Sequence, residues 1–207
     1  QTTYQFNGNG WVEWYKFSTN NLASLINLTN NLGSNTCCNT TLDYVDCGSS
    51  SNCVGDTLRC GVIVSITNGV ALVAAIDEYN FIPWFGGACP ISYIGGSSTL
   101  DIVNNCPADR NAATISYEYK PEGCQGNGQQ WILPDTTQLN ALETSMNIVN
   151  PIFELLGGKR VYTGNVYWAL EELWAQQSFT KEIGGGTTEI NKTQLRRIRP
   201  FTLVTVP

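Results

Sequence analysis

The stretch from Tyr167 to Phe201 constrains the fold of this chain more than any other part of the sequence. It carries aromatic residues at Trp168 and Trp174, and three consecutive glycines, residues 184–186, divide it. Two segments around a glycine turn predict a pair of antiparallel strands. Because buried rings remove large apolar areas from water, we expect this stretch to anchor a core.

The first strand of this predicted pair also carries polar side chains. Alternation along an extended chain places Phe179, Lys181 and Ile183 on one face. The remaining polar groups are expected to point to solvent or to a ligand. They are Gln176, Gln177, Ser178 and Thr180, together with Lys181.

The eight cysteines indicate a disulfide-bonded protein from an oxidising compartment. Their even number and polar surroundings favour disulfides over a zinc site, and no CxxC pair is present. The pairing stays open. We expect oxidation of Cys37, Cys38, Cys47, Cys53, Cys60, Cys89, Cys106 and Cys124. Gln1 has no methionine before it, which is typical of a secreted or cell-surface product whose signal peptide has been removed.

Charge and hydropathy argue against two classes of partner. The net charge is −6 and charged residues make up 14%, so a general affinity for nucleic acid is not expected. We interpret the basic cluster Arg196–Arg199 as local salt bridging or loop anchoring. No apolar run is long enough to predict insertion into a membrane.

The first 53 residues differ from the rest and predict a Cys-rich extension. Alternation over residues 11–17 predicts a strand, and apolar spacing over residues 22–32 predicts a short helix. Residues 34–53 hold four cysteines among polar residues, which indicates a stapled loop.

Residues 54–207 predict one mixed domain of helices and strands. Asn68-Gly69 is the expected turn of a buried hairpin. Short helices are expected at residues 101–105 and 111–119, and residues 131–134 end a strand. Asp135 or Thr136 caps a longer helix, which Asn150-Pro151 is expected to break, leaving a separate apolar turn after it.

The order of several motifs resembles the C-type-lectin-like "major paralogous domain" at the C-terminus of bacterial collagen-like adhesins. The resemblance covers about residues 54–201. Its motifs are Val54-Gly55-Asp56 with Gly61-Val62-Ile63-Val64, Leu72-Val73-Ala74-Ala75, Trp84, Ala112-Ala113, Trp131-Ile132-Leu133-Pro134 with Gln138-Leu139-Asn140-Ala141-Leu142, Tyr167-Trp168 with Glu171-Glu172, and Arg197-Ile198-Arg199-Pro200-Phe201.

This resemblance implies an α+β, C-type-lectin-like fold of mixed antiparallel sheets, short helices and long disulfide-stapled loops. It also implies a surface protein of bacteria or phages that binds glycans or host proteins. Ala169-Leu170 stand where the family usually has a small hydroxylated pair. Residues 1–53 and 203–206 lie outside the resemblance.

Fold analogy places the ligand surface on the late loops and strands. Trp131 and Trp168 are interpreted as core, whereas Trp174 is the candidate exposed ring. The predicted ligand-binding residues are Tyr162, Asn165, Trp174, Gln176, Gln177 and Lys181.

The sequence favours a binding module over an enzyme. Without histidine, no Ser–His or Cys–His nucleophile can form. Glu171 and Glu172 are adjacent and would face opposite sides of a strand, while Asp77 or Asp101 could act only as distant acids. No cofactor is expected. Side chains with oxygen atoms that could bind calcium are present, but their spacing matches no calcium-binding motif, and we interpret them as solvated loop residues. They are Asp101, Asn104, Asn105 and Asp109.

Two functions follow as predictions. The first is an extracellular adhesin-type module that recognises a surface glycan or protein receptor. The alternative is a structural subunit of a bacterial surface filament or phage appendage, assembled through its terminal segments. Residues 11–17 and the uncharged run 201–206 motivate this alternative, because a terminal strand can pair with a neighbouring edge. The last strand of the same domain is the simpler interpretation of residues 201–206.

Overall fold

The structure is a computed structural model, and the chain divides into two compact units, residues 1–42 and 43–207. The residues described are 3–6, 11–14, 52–85, 98–105, 110–121, 130–174 and 176–206. The predicted boundary at residue 53 adjoins residues outside these ranges and stays a prediction.

The first unit contains a two-stranded antiparallel hairpin. Strand β1 (Thr3–Phe6) pairs with β2 (Trp11–Trp14), with Thr3 opposite Trp14. The predicted strand at residues 11–17 is thus confirmed over its first four residues. The predicted helix and stapled loop of this unit lie outside the described residues.

The second unit is a mixture of helices and antiparallel sheets, so the predicted α+β class is confirmed. Its three helices in the described residues are α1 (Thr99–Asn105), α2 (Ala112–Tyr117) and α3 (Thr136–Leu155). Its strands there are β3 (Thr57–Leu58), β4 (Gly61–Thr67), β5 (Val70–Ala75), β6 (Tyr79–Pro83), β7 (Val166–Trp174), β8 (Gln177–Glu182), β9 (Thr187–Asn191), β10 (Leu195–Ile198) and β11 (Phe201–Thr205).

The described strands of the second unit form two sheets. One sheet has four strands in the order β11-β5-β4-β3, and the other has five in the order β6-β10-β7-β8-β9. All pairs between these described strands are antiparallel except one parallel bridge, between Arg197 of β10 and Tyr167 of β7. The predicted strand pair around residues 184–186 is confirmed as β8 and β9.

The β4–β5 hairpin follows from its turn residues. Asn68 and Gly69 have φ of 50° and 73°. A two-residue hairpin turn that matches the twist of the strands requires such positive φ values at both central residues. Thr67 pairs with Val70, and the predicted Asn-Gly hairpin is confirmed. Strand β11 pairs with β5 over five residues, from Phe201 opposite Ala74, so it completes the sheet of its own domain.

Helix α3 begins at a capping box. The Asp135 carboxylate accepts from the Gln138 backbone N–H at 2.7 Å, and the Gln138 side chain accepts from the Asp135 N–H at 3.0 Å. Asp135 is therefore the predicted cap. The predicted short helices are also present as α1 and α2, and Asn111 caps α2.

The predicted break at Asn150-Pro151 is wrong, because α3 continues through Pro151 to Leu155. Tertiary contacts compensate for the N–H that proline lacks. The Asn150 side chain exchanges two hydrogen bonds with the Val161 backbone, at 2.7 and 2.8 Å, and Phe153 is fully buried. The predicted separate turn is thus the end of the same helix.

The expected strand at residues 131–134 is reduced to one bridge. Ile132 and Phe201 exchange backbone hydrogen bonds of 2.7 and 2.9 Å, and no longer ladder forms there in the described residues. Trp131 and Trp168 are 2% and 0% exposed, which confirms both as core. No helix in the described part of the chain is long and apolar enough to cross a membrane.

Candidate functional site

The exposed surface beside the β7–β8 turn brings an aromatic ring and two amides together. Trp174 pairs with Gln177 across β7 and β8, and Gln177 pairs with Asn191 across β8 and β9. Residues paired directly across antiparallel strands share a face. Trp174 is 64% exposed, and Gln177 and Asn191 are also exposed. We name these three residues the Trp174 row.

The amides of the row are suited to bind a polar ligand. An amide side chain offers two N–H donors and one carbonyl acceptor. The Asn191 oxygen accepts from the Thr193 backbone N–H at 3.0 Å and from its hydroxyl at 2.8 Å. These two bonds fix the position of the Asn191 side-chain oxygen. Gln176 is exposed at the same turn, and its carbonyl accepts from the Lys192 N–H at 3.0 Å.

A buried ion pair supports the row from the interior. The Lys192 ammonium contacts the Glu172 carboxylate, and both side chains are only 2% exposed. The ammonium lies 4.5 Å from the centre of the Trp84 ring. Lys192 directly follows Asn191, and Glu172 lies opposite Ser178 in β8, so the pair connects β7 to the end of β9.

Two of the predicted ligand-binding residues lie at the opposite end of β8. The Asn165 carbonyl accepts from the Ile183 N–H at 2.9 Å, and Asn165 donates to the Tyr162 carbonyl at 3.0 Å. From Gln177 to Ile183 the strand spans roughly 20 Å at its usual rise per residue. Tyr162 is 59% exposed, but it and Asn165 do not join Trp174 in one site.

The prediction that Lys181 belongs to an exposed binding face is wrong. Lys181 is 6% exposed, and its ammonium lies 2.7 Å from the Glu143 carboxylate of α3 and 2.7 Å from the Gly185 carbonyl. Its hydrogen bond to Glu143 lowers the pKa of that carboxyl. Lys181 thus joins α3 to the β8–β9 turn.

The candidate acids are held by neighbouring residues. Glu171 accepts from the Thr136 N–H at 2.8 Å at the start of α3. Asp77 accepts from the Tyr119 hydroxyl at 2.9 Å, and Asp101 accepts from the Ser98 hydroxyl at 2.8 Å. The bonds from Ser98 lower the pKa of Asp101.

The calcium candidates Asp101, Asn104 and Asn105 fall in or at the end of α1, and Asp109 lies outside the described residues. The Asn105 side chain donates to the Asp101 carbonyl at 2.8 Å, which is a local bond within the helix. Within the described ranges, no group of three or more His, Cys, Asp and Glu side chains is placed to hold a metal ion.

The basic cluster anchors strands, as predicted. Arg197 donates to the Glu78 carboxylate at 2.6 Å, and Arg199 donates to the Ala75 carbonyl at 2.7 Å. The Tyr167 hydroxyl also donates to Glu78, and burial raises the pKa of this tyrosine. The network joins β7 and β10 to the segment after β5.

Cys53 and Cys60 are the cysteines within the described part of the chain, and no disulfide joins them to each other. Cys60 takes part in a disulfide. The remaining six lie outside the described residues: Cys37, Cys38, Cys47, Cys89, Cys106 and Cys124. The complete oxidation of the cysteines therefore stays a prediction.

No protein-family model matches this chain, and no curated protein matches it significantly.

Sequence reasoning missed two contributors to the site. Asn191 could have been found from the glycine turn, because a hairpin centred on Gly184 places residue 191 opposite residue 177. No comparable indication of the Lys192–Glu172 pair is present in the sequence. A lysine in a polar segment is expected to be exposed, so its burial cannot be read from the sequence.

Proposed function

We propose that this chain is a non-enzymatic, extracellular binding module of adhesin type, which recognises a surface glycan or protein ligand through the Trp174 row. The observation that carries this function is the 64% exposure of Trp174 beside two exposed amides on adjacent strands. Apolar surface rimmed by polar groups is typical of interaction sites, and tryptophan is enriched among the residues that contribute most to binding.

The chemistry of the row favours a ligand with both apolar and polar parts. The indole face packs against apolar C–H groups, while the amides of Gln177 and Asn191 donate to and accept from hydroxyl or peptide groups. The Lys192 ammonium is buried against Glu172, and the three residues of the row carry no charge themselves. A sugar ring and an uncharged peptide both fit this description.

A C-type-lectin-like arrangement of the domain belongs to the same proposal. The α+β architecture is compatible with it, and Trp84, Trp131 and Trp168 of the resembling motifs are buried. The hydrogen bonds that hold Glu171 and the ion pair that holds Glu172 favour structural roles for these acids over catalysis.

The test is binding of the purified protein to a glycan array and to an array of extracellular-matrix proteins. We expect a ligand whose affinity falls at least tenfold in Trp174→Ala. Tyr162→Ala is the matched control, because Tyr162 is 59% exposed at the other end of β8. Equal affinities of Trp174→Ala and the wild type, or a larger loss in Tyr162→Ala, would contradict the assignment.

A second candidate function is assembly into a surface filament or virion appendage. Among the described strands, β11 is the last on its side of the four-stranded sheet, and its Leu203 is 57% exposed. Phe201 turns its N–H and carbonyl away from β5 towards Ile132. Because the direction of backbone groups alternates along a strand, the N–H and carbonyl groups of Leu203 and Thr205 also point outward. A strand of a second copy can pair with them there.

This candidate is tested at the outward edge without removing the strand. Leu203→Pro deletes one outward N–H, which an edge strand tolerates because pairing with β5 does not use it. If copies assemble through this edge, polymers seen by electron microscopy of the wild type disappear in this variant. Polymers that persist in Leu203→Pro exclude β11 as the joint, and so does a wild type that stays monomeric at high concentration.

A further inference from the structure

Phe81 has a strained backbone and a ring that the fold does not bury. Its φ is 59°, in the left-handed region, although it lies within strand β6. A residue with a Cβ atom in this region costs about 1–2 kcal/mol. The side chain is 77% exposed, so no packing of the ring offsets this cost. Backbone strain that the core does not explain is a reason to look for function.

A β-bulge explains the backbone of Phe81 but not its ring. Between the pairs Arg196–Ile82 and Ile198–Tyr79, β6 advances by three residues and β10 by two. Bulges are common on edge strands, and β6 is the last described strand on its side of the sheet. Glycine would form this bulge without strain.

An apolar side chain and a fixed guanidinium lie beside Phe81. Arg197 lies across from the bulge, and it donates to the Asn80 and Glu78 side chains at 2.6 Å each. Its side chain is 38% exposed. Leu195 precedes Arg197 by two residues in β10, so the two side chains lie on the same face of the strand. Leu195 is 49% exposed. We name Phe81, Leu195 and Arg197 the Phe81 patch.

In the described residues, the patch and its neighbour Arg199 carry more positive charge than the one carboxylate that contacts them can neutralise. The Glu78 carboxylate contacts both Arg197 and Arg199, so two guanidinium groups share one carboxylate. Arg199 is fully buried, which leaves Arg197 as the member of this cluster that solvent and partners reach. In a chain of net charge −6, this local excess of positive charge is complementary to a carboxylate.

We propose that the Phe81 patch docks an extended protein segment in which a carboxylate lies next to a large apolar side chain. Phe81 and Leu195 pack against the apolar side chain, and the exposed N–H groups of Arg197 bind the carboxylate. Strand β6 has no partner on its outer side within the described ranges, so an extended segment can lie along it. This surface is on β6 and β10, outside the Trp174 row.

The experiment selects ligands from a phage-displayed random dodecapeptide library on the immobilised wild-type protein. Selected peptides are then measured by fluorescence anisotropy against the wild type, Phe81→Ala, Leu195→Ala and Arg197→Gln. Tyr162→Ala is the matched control, since it removes another exposed ring, which is 59% exposed. Thermal unfolding establishes that each variant is folded, and Phe81→Ala is expected to fold because its ring is exposed.

We expect peptides with Asp or Glu close to a large apolar residue. Their affinity should fall at least tenfold in Phe81→Ala and in Arg197→Gln, weaken as salt is raised, and stay unchanged in Tyr162→Ala. If no selected peptide depends on Phe81, or if the dependent peptides lack carboxylates, the proposal is wrong. Phe81-dependent binding of a glucuronate-bearing oligosaccharide without any dependent peptide would also overturn it.

Discussion

Replacing Lys192 by methionine should destabilise the domain far more than replacing an exposed basic residue. The Lys192 and Glu172 side chains are each 2% exposed, and the ammonium also lies over the Trp84 ring. Removing one partner of a buried ion pair costs about 3–5 kcal/mol. Methionine keeps most of the volume of the lysine stem, so a cavity contributes little.

The assay is urea unfolding without reductant, followed by circular dichroism. Urea is uncharged and does not screen ion pairs. The control is Arg160→Met, which removes an ion pair of 3.3 Å whose side chains are 42% and 51% exposed. Such a surface pair contributes at most about 1 kcal/mol.

A double-mutant cycle separates the ion pair from general packing. Glu172→Gln alone leaves the ammonium buried without its carboxylate, so it should also be strongly destabilising. The double variant Lys192→Met/Glu172→Gln should lose less stability than the sum of the single losses, by more than about 1 kcal/mol. A loss in Lys192→Met no larger than in Arg160→Met, or strictly additive losses, would refute the reasoning.

Three further predictions concern single residues. By urea unfolding, Trp174→Ala should change stability by less than about 0.5 kcal/mol, whereas Trp168→Ala, fully buried, should lose about 3–5 kcal/mol. Phe81→Gly should raise the free energy of unfolding by up to about 1 kcal/mol, because relief of the left-handed strain exceeds the entropy cost of glycine. A lower free energy of unfolding would show that Phe81 is not strained. Lys181 lowers the pKa of Glu143, so this carboxylate stabilises the fold above its ordinary pKa of 4.5, and the stabilisation is lost as pH falls. As pH falls from neutral to acid, the urea midpoint of unfolding should therefore decline less steeply in Glu143→Gln than in the wild type. Equal declines in the two proteins would contradict this.

Local signals in the sequence were sufficient for the hairpins and for the start of the long helix. Asn68-Gly69 specifies a turn by its tolerance of positive φ, and Asp135 with Gln138 specifies a capping box. Each signal depends on residues within about four positions of one another. The same local reasoning failed at Pro151, because the bonds that continue the helix join Asn150 to Val161.

The candidate site could be predicted only in part, because pairing across the chain decides it. The exposure of Trp174 agrees with the expectation, but Lys181 is paired with Glu143, which lies thirty-eight residues earlier in the chain. Tyr162 and Asn165 precede β7 and therefore lie at the far end of the hairpin from Trp174. A linear sequence does not show these separations until the strand register is known.

The bulge at Phe81 had no sequence signal either. Left-handed residues are expected at Gly, Asn or Asp, so a phenylalanine in a strand-like run predicts an ordinary extended residue. Its conformation follows from the pairing of β6 with β10, which are separated by more than a hundred residues.

The Trp174 row is tested most directly by an NMR titration of the wild-type protein with the best ligand from the arrays. The indole N–H of Trp174 is assigned by its absence in Trp174→Phe, and the side-chain amides of Gln177 and Asn191 by their absence in the matching alanine variants. We predict that these three groups shift together along one binding curve. Shifts confined to residues outside the row, with these three groups unmoved at saturation, would contradict the proposed site.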